Sequence, residues 1–479
     1  MREWMEMVSK MQADQQDLAA LLNRVVQESL QFFAGLEDRP VAAQAKTEAV
    51  ESLPSDGSGG LQALERFQQL YAKKLSASAG PRYLGFVTGG ATPASIAGDW
   101  LVSVYDQNLS GISDSIAGYV ELETIAMLRE LFLLPDDFSG AFVSGATMAN
   151  FVGLAQARQW AARKQGVDVA NDGLYQLPPL KIASGAPHSS IYKSLSMLGI
   201  GRKSVHLIPC QPNREAIDIA ALRAFLEEHR NEPCVVVANA GTVNTVDYDD
   251  LAAIARLKSD YAFWLHVDAA FGGFAACSPR FSHLVNGLEH ADSITIDAHK
   301  WLNVPYDSAM QFTRHKSLQI DVFQNNAAYL GSAIAQPEFA HLTPENSRRF
   351  RALPAWFSLQ AYGRAGYKEI VESNAEVARL LGEKIAGSDS FELLAPVRLN
   401  IVCFSLKRKT RAEEPLTMND ITRFLDQLSR DGRVFMTPTN YQGSPAIRAA
   451  FSNWRTVGQD VDVIWQALCD SFAGYSREG

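Results

Sequence analysis

Close cysteine pairs are missing from this 479-residue chain: Cys210, Cys234, Cys277, Cys403 and Cys469 are scattered singly along it. That spacing excludes a zinc ribbon, which needs closely spaced ligand pairs, and a secreted disulfide framework. A reducing, cytoplasmic compartment is the expectation. Long apolar runs are missing too, so no segment reaches the roughly 20 residues that a membrane-spanning helix needs. The amino terminus, Met1-Arg2-Glu3-Trp4-Met5-Glu6, is polar and soon acidic, unlike the basic-then-apolar pattern of a signal peptide. Basic residues are outnumbered, 44 Lys and Arg against 53 Asp and Glu, for a formal net charge of −9. A protein that binds phosphate backbones presents a basic surface, so neither nucleic acid nor membrane is an expected partner.

What is present is an ordinary globular composition, 47% hydrophobic and 20% charged, long enough for two or three units. Apolar residues between Trp4 and Phe33 (Trp4, Val8, Met11, then Leu18, Leu21, Leu22, Val25) recur at helical spacing. They predict one or two amphipathic helices whose apolar face needs a partner. The run Pro54-Ser55-Asp56-Gly57-Ser58-Gly59-Gly60 reads as a linker, and a further helical pattern spans Leu61 to Leu75. From Tyr83 to Phe312 short apolar runs alternate with helical segments, which predicts an α/β fold: a mostly parallel central sheet covered by helices. The predicted strands are Gly140 to Val143, Lys181 to Ala183, Val205 to Ile208, Cys234 to Ala240, Phe263 to Val267 and Ser293 to Ile296. A long helix from about Phe357, a strand-like Arg398 to Leu406 and a helix from Met418 to Leu428 predict a small α/β carboxyl-terminal domain. The expected division is a helical segment 1–82, a large domain 83–356 and a small domain 357–479.

Ligands in such sheets sit at the carboxyl ends of the strands, so the residues just after each strand carry the chemistry. After Ser293 to Ile296 comes Asp297-Ala298-His299-Lys300-Trp301, a lysine held in a loop at a strand end. Burial and a neighbouring cation lower an ammonium pKa and make it a nucleophile able to form an imine with an aldehyde cofactor. After Phe263 to Val267 comes Asp268, an acid suited to keeping a pyridinium nitrogen protonated. Ser144-Gly145-Ala146-Thr147 opens a helix whose free N–H groups suit a phosphate. Pro187-His188-Ser189-Ser190 adds a flat imidazole able to stack on a ring. Singly, each has a bland reading: a surface loop for the lysine, a helix cap for the acid, packing for the small residues and the histidine. Together they describe a pyridoxal 5'-phosphate site.

With these residues in view, the sequence resembles the group II pyridoxal-phosphate decarboxylases, which act on aromatic L-amino acids, histidine, glutamate and diaminobutyrate. The resemblance runs over nearly the whole chain and rests on Leu265-His266-Val267-Asp268-Ala269-Ala270, Asp297-Ala298-His299-Lys300-Trp301, Pro187-His188-Ser189-Ser190, Gly241-Thr242-Val243-Asn244-Thr245 and Ser347-Arg348-Arg349-Phe350-Arg351. It implies a fold-type-I homodimer with sites at the subunit interface and amino-terminal helices packed across it. It implies Lys300 as the Schiff-base anchor, Asp268 at the ring nitrogen, His188 stacked on the ring and Ala270 packed against it. Ala146, Thr147 and Asp297 would border the phosphate, Thr242 the phenolic oxygen or the substrate carboxylate, and His299 the scissile group. The substrate pocket would be Phe86 and Thr88, with Leu109 and Gly111 reaching in from the partner chain. The implied reaction is loss of carbon dioxide from an amino acid, with an aromatic side chain favoured.

The resemblance departs at the proton donor. Aromatic amino acid decarboxylases take it from a tyrosine on a loop before the Arg-Arg-Phe motif, where an ungapped count arrives at Phe339, with Tyr329 earlier in the same segment. A phenylalanine there would slow protonation and let oxygen intervene, giving an aldehyde by oxidative decarboxylation. Other readings are decarboxylation of an acidic or basic amino acid, such as glutamate or diaminobutyrate, and a fold-type-I aminotransferase with Arg448 on the substrate carboxylate. A silent regulatory homologue would have lost Lys300 or Asp268, and both are present.

Overall fold

The computed structural model describes residues 10–42, 52–112, 115–325, 338–407 and 415–478. Its main sheet contains β1 (Ser139–Val143), β2 (Lys181–Ser184), β3 (Val205–Leu207), β4 (Cys234–Asn239), β5 (Phe263–Asp268), β6 (Ser293–Ile296) and β7 (Ala309–Thr313). The strand order is β1-β7-β6-β5-β4-β2-β3. Strands β2 to β6 pair in parallel, whereas β7 runs antiparallel to both β6 and β1. The predicted, mostly parallel α/β sheet is therefore present, and each of the six predicted strands appears within a residue or so of its expected bounds.

Strand β7 was not predicted: Gln311 interrupts its apolar run, yet that side chain is buried. β4 and β5 are buried along their whole length, as a parallel sheet covered on both faces requires. Alternate residues serve opposite faces. Val236, Ala238, Leu265 and Val267 join one apolar cluster, while Val235, Val237 and Trp264 join the other.

A second, antiparallel sheet has the order β10-β11-β9-β8, from β8 (Phe391–Leu393), β9 (Ile401–Leu406), β10 (Thr437–Tyr441) and β11 (Ser444–Ala450). The long helix begins at Ala352, earlier than Phe357, because Pro354 falls in the first turn, where a missing N–H leaves no intrahelical bond unmade. It runs to Ala386 and bends at Gly363, whose φ of 55° interrupts the helical geometry. Near the amino terminus the helices Leu18–Ala34 and Gly60–Leu70 contain no buried residue. The second ends five residues short of Leu75, in a 3-10 turn at Ala72–Lys74.

Candidate active site

The carboxyl ends of β1, β2, β4, β5 and β6 open onto a cavity of about 520 Å³. Its lining includes Thr147, His188, Thr242, Asp268, His299 and Lys300. Lys300 is not in an open loop: Ala298–Leu302 form a single π-helical turn. Gly89 packs against this turn so closely that a Cβ there would lie 1.6 Å from the Lys300 carbonyl oxygen, so only glycine fits. The turn aims Lys300 Nζ at Asp297 Oδ2, 3.1 Å away, and over the Phe271 ring, 5.5 Å from its centre.

Asp297 is the hub. Its Oδ1 accepts the Ala146 N–H at 3.0 Å and lies 3.2 Å from His299 Nδ1. The Ala146 N–H, expected at a phosphate, is thus already taken by a carboxylate, leaving the next residue, Thr147, to face the cavity at the helix start. His299 Nδ1 also lies 3.1 Å from the Ser308 carbonyl, which can only accept, so the proton sits on Nδ1 and the Nε2 lone pair is left over. Burial holds the imidazole below its ordinary pKa, which keeps it neutral. Its ring stacks on Tyr306, 4.3 Å between centres.

Asp268, at the end of β5, is 6% exposed. Its oxygens accept from Asn150 Nδ2 at 3.1 Å and from the Ala270 N–H at 3.2 Å. No cation among the described residues pairs with it, so a buried carboxylate faces the cavity ready for a protonated nitrogen. With a primary amine at Lys300 and a helix start at Thr147 in the same cavity, these residues fit pyridoxal phosphate. His188 is held by Ser190, whose Oγ lies 2.7 Å from Nδ1. Burial lowers the His188 pKa as well, against the opposing pull of the Asp268 charge.

Thr242 lines the cavity, but its hydroxyl donates to Glu215 Oε2 at 2.6 Å and accepts the Asp247 N–H at 2.9 Å. That proton is therefore committed away from any phenolic oxygen. Arg448 also lines the cavity, with Nη1 bonded to the Val243 carbonyl at 3.0 Å, no carboxylate partner among the described residues, and a pKa lowered by burial to about 10. Phe86 lines the cavity, whereas Thr88 is not in the lining and is bonded to the Oη of Tyr306, which is, at 3.2 Å. Tyr306 and Asn150 carry no motif that sequence reading could seize: one follows an unremarkable Val304-Pro305, the other lies inside a helix.

Other expected site residues lie elsewhere. Leu109 has no exposed surface in its own chain and donates its N–H to the Arg348 carbonyl at 3.0 Å. Gly111 is likewise buried, beside the Glu338 side chain. Within this chain neither residue lines the cavity. Phe339 is fully buried in a cluster with Ala141 and Leu342 and is not among the residues that line the cavity. Tyr329 lies outside the described residues.

The chain is similar over most of its length to known proteins. The chain is 28% identical over 440 residues to the aromatic-L-amino-acid decarboxylase of Bacillus atrophaeus, covering 89% of each. It is 27% identical to the phenylacetaldehyde synthase of Petunia hybrida, covering 81% of this chain and 80% of that one. Among solved structures, Oryza sativa TDC with PLP and tryptamine superposes with a TM-score of 0.89 at 23% identity, over 96% of this chain and 98% of that one. Mouse CSAD gives 0.87 at 22% identity, over 96% and 99%. The pyridoxal-dependent decarboxylase conserved domain matches residues 44–407, and the chain belongs to that family.

Proposed function

We propose that this enzyme, a pyridoxal-phosphate-dependent amino acid decarboxylase, releases carbon dioxide from an aromatic L-amino acid to leave the amine. The carrying observation is one cavity that holds a primary amine at Lys300, a buried carboxylate at Asp268 with no cation partner among the described residues, and aromatic walls at Phe86 and Tyr306. Bound pyridoxal phosphate supplies the sink for the electron pair left on the α-carbon when carbon dioxide departs. Lys300 would be its covalent anchor, and Asp268 would hold a proton on its ring nitrogen. Thr147 would border its phosphate, and His188 and Ala270 would flank its ring. His299 presents its Nε2 lone pair beside the reacting carboxylate, and Arg448 supplies the cation that orients an anionic group. Orientation of the carboxylate selects which bond breaks. The names of the aromatic-acting relatives support the substrate class.

A second reading has one observation in its favour: Arg448, a buried cation without a carboxylate partner among the described residues, also suits the side chain of an acidic amino acid. Petunia's aldehyde-forming relative keeps oxidative decarboxylation open as the product outcome.

The exposed apolar residues Leu18, Leu22, Val26 and Leu30 share one face of the helix Leu18–Ala34 and support a homodimer with these helices at the interface. The division 1–82, 83–356 and 357–479 follows that arrangement. Five free cysteines are consistent with work in the cytoplasm.

The test is mass spectrometry of products from a panel of aromatic and acidic L-amino acids in air. It is paired with borohydride reduction of the loaded protein and peptide mapping. An amine from an aromatic substrate and cofactor mass on the Lys300 peptide are expected. A keto acid product, or cofactor fixed at another lysine, would overturn the assignment.

A further inference from the structure

Behind Asp268 and His188 runs a chain of buried hydrogen bonds whose direction is fixed at both ends. The Trp264 indole can only donate, and its Nε1 lies 2.9 Å from Ser293 Oγ. At the far end the Asp268 carboxylate accepts from Asn150 Nδ2 at 3.1 Å. Turning the Asn150 amide over would set its oxygen against that carboxylate, so Oδ1 must point the other way, at His266 Nε2, 2.9 Å distant. His266 therefore donates from Nε2 and, being neutral, accepts at Nδ1. The Ser293 hydroxyl, 2.8 Å away, is the donor there, having accepted from Trp264.

Asn150 Nδ2 has a second hydrogen, and Ser190 Oγ lies 3.1 Å from it. With its oxygen accepting that bond, Ser190 passes its own proton to His188 Nδ1 at 2.7 Å, where the Ser190 backbone N–H also donates at 3.2 Å. Two donors at Nδ1 leave the His188 proton on Nε2, which has no protein partner among the described residues. Trp264, Ser293, His266, Asn150 and Ser190 are all buried, so water does not offer an alternative set of bonds.

We infer that Asn150 is a positioning residue that fixes two contacts at once: it holds the Asp268 carboxylate as an acceptor toward the cavity and turns the Ser190 hydroxyl onto His188 Nδ1, beside the Ser190 N–H that keeps the proton on Nε2. His188 then serves the site as a hydrogen-bond donor to an oxygen of the bound cofactor or substrate, and not as a base. The inference rests on the cavity being the cofactor site, but its readout is independent of turnover, so a chain that fails to decarboxylate still reports on it.

Neutron diffraction from deuterated crystals of the holoenzyme reads the protons directly. Deuterium on Nε2 of both His188 and His266, with bare Nδ1 atoms, is expected; deuterium on His188 Nδ1 overturns the assignment without any variant. In Asn150→Ala the Ser190 backbone N–H still keeps the His188 proton on Nε2, the Ser190 hydroxyl is freed, and the cofactor Kd should rise about tenfold, the loss of one charged hydrogen bond. An unchanged cofactor Kd in that variant would also overturn it.

Discussion

The Arg348 guanidinium lies 4.9 Å from the centre of the Phe339 ring, and both side chains are enclosed by the protein. This places Phe339 in a packing role beneath a buried cation. Replacing Phe339 with Tyr should leave the product unchanged and cost about 1–3 kcal/mol of stability, because the added hydroxyl would be buried without a planned partner. Product mass spectrometry and denaturant unfolding check both halves. Tyr329→Phe, in contrast, is expected to raise the aldehyde share. An unaltered amine yield from that variant would remove Tyr329 as the donor.

The same arginine forms a two-pronged ion pair with Glu121, at 2.8 Å and 3.2 Å, and also donates to the carbonyls of Leu109 and Phe142. Neither charged side chain has solvent access. Removing one charge strands the other, so Glu121→Gln should destabilise the protein by about 3–5 kcal/mol. Chemical unfolding at fixed protein concentration measures it, and a loss below about 1 kcal/mol would show that the pair is better solvated than its enclosure implies.

Arg448→Gln should raise KM about tenfold or more, the scale of one charged hydrogen bond, with a smaller change in kcat. Steady-state kinetics on aromatic and acidic substrates separates its possible targets. A rise for every substrate assigns Arg448 to the α-carboxylate, and a rise confined to acids assigns it to their side chains.

His266 is fully buried and its pKa is depressed by that burial from 6.5 to about 4. Because the folded value lies below the unfolded one, its contribution is complete above about pH 6.5 and is lost as pH falls toward 4. The gap corresponds to about 3 kcal/mol. Unfolding free energies at pH 7.5 and 4.5 should therefore differ less in His266→Gln than in the parent, and equal pH slopes would contradict this.

Much of the site was legible because its chemistry is local. Lys300, Asp268, His188 and Thr147 each stand directly after a strand or at a helix start, and an apolar run ended by a polar residue announces that place in the linear chain. The long-range pieces were not legible. β7 was hidden by Gln311, whose burial depends on neighbouring strands. Arg448 reaches the cavity from the second sheet, and Tyr306 reaches it through its stack on His299. Leu109 and Gly111 are enclosed within their own chain, a burial that only the fold shows.

By itself, then, the sequence determined the parallel α/β sheet and the identity of the residues at its strand ends, since periodicity and burial operate over a few neighbours. Tertiary structure alone decided which hydrogens those residues carry. The Asn150 amide, the Ser190 hydroxyl and the Asp297 carboxylate acquire their partners across 118, 40 and 151 residues of chain. The direction of a hydrogen bond depends on what lies at its other end.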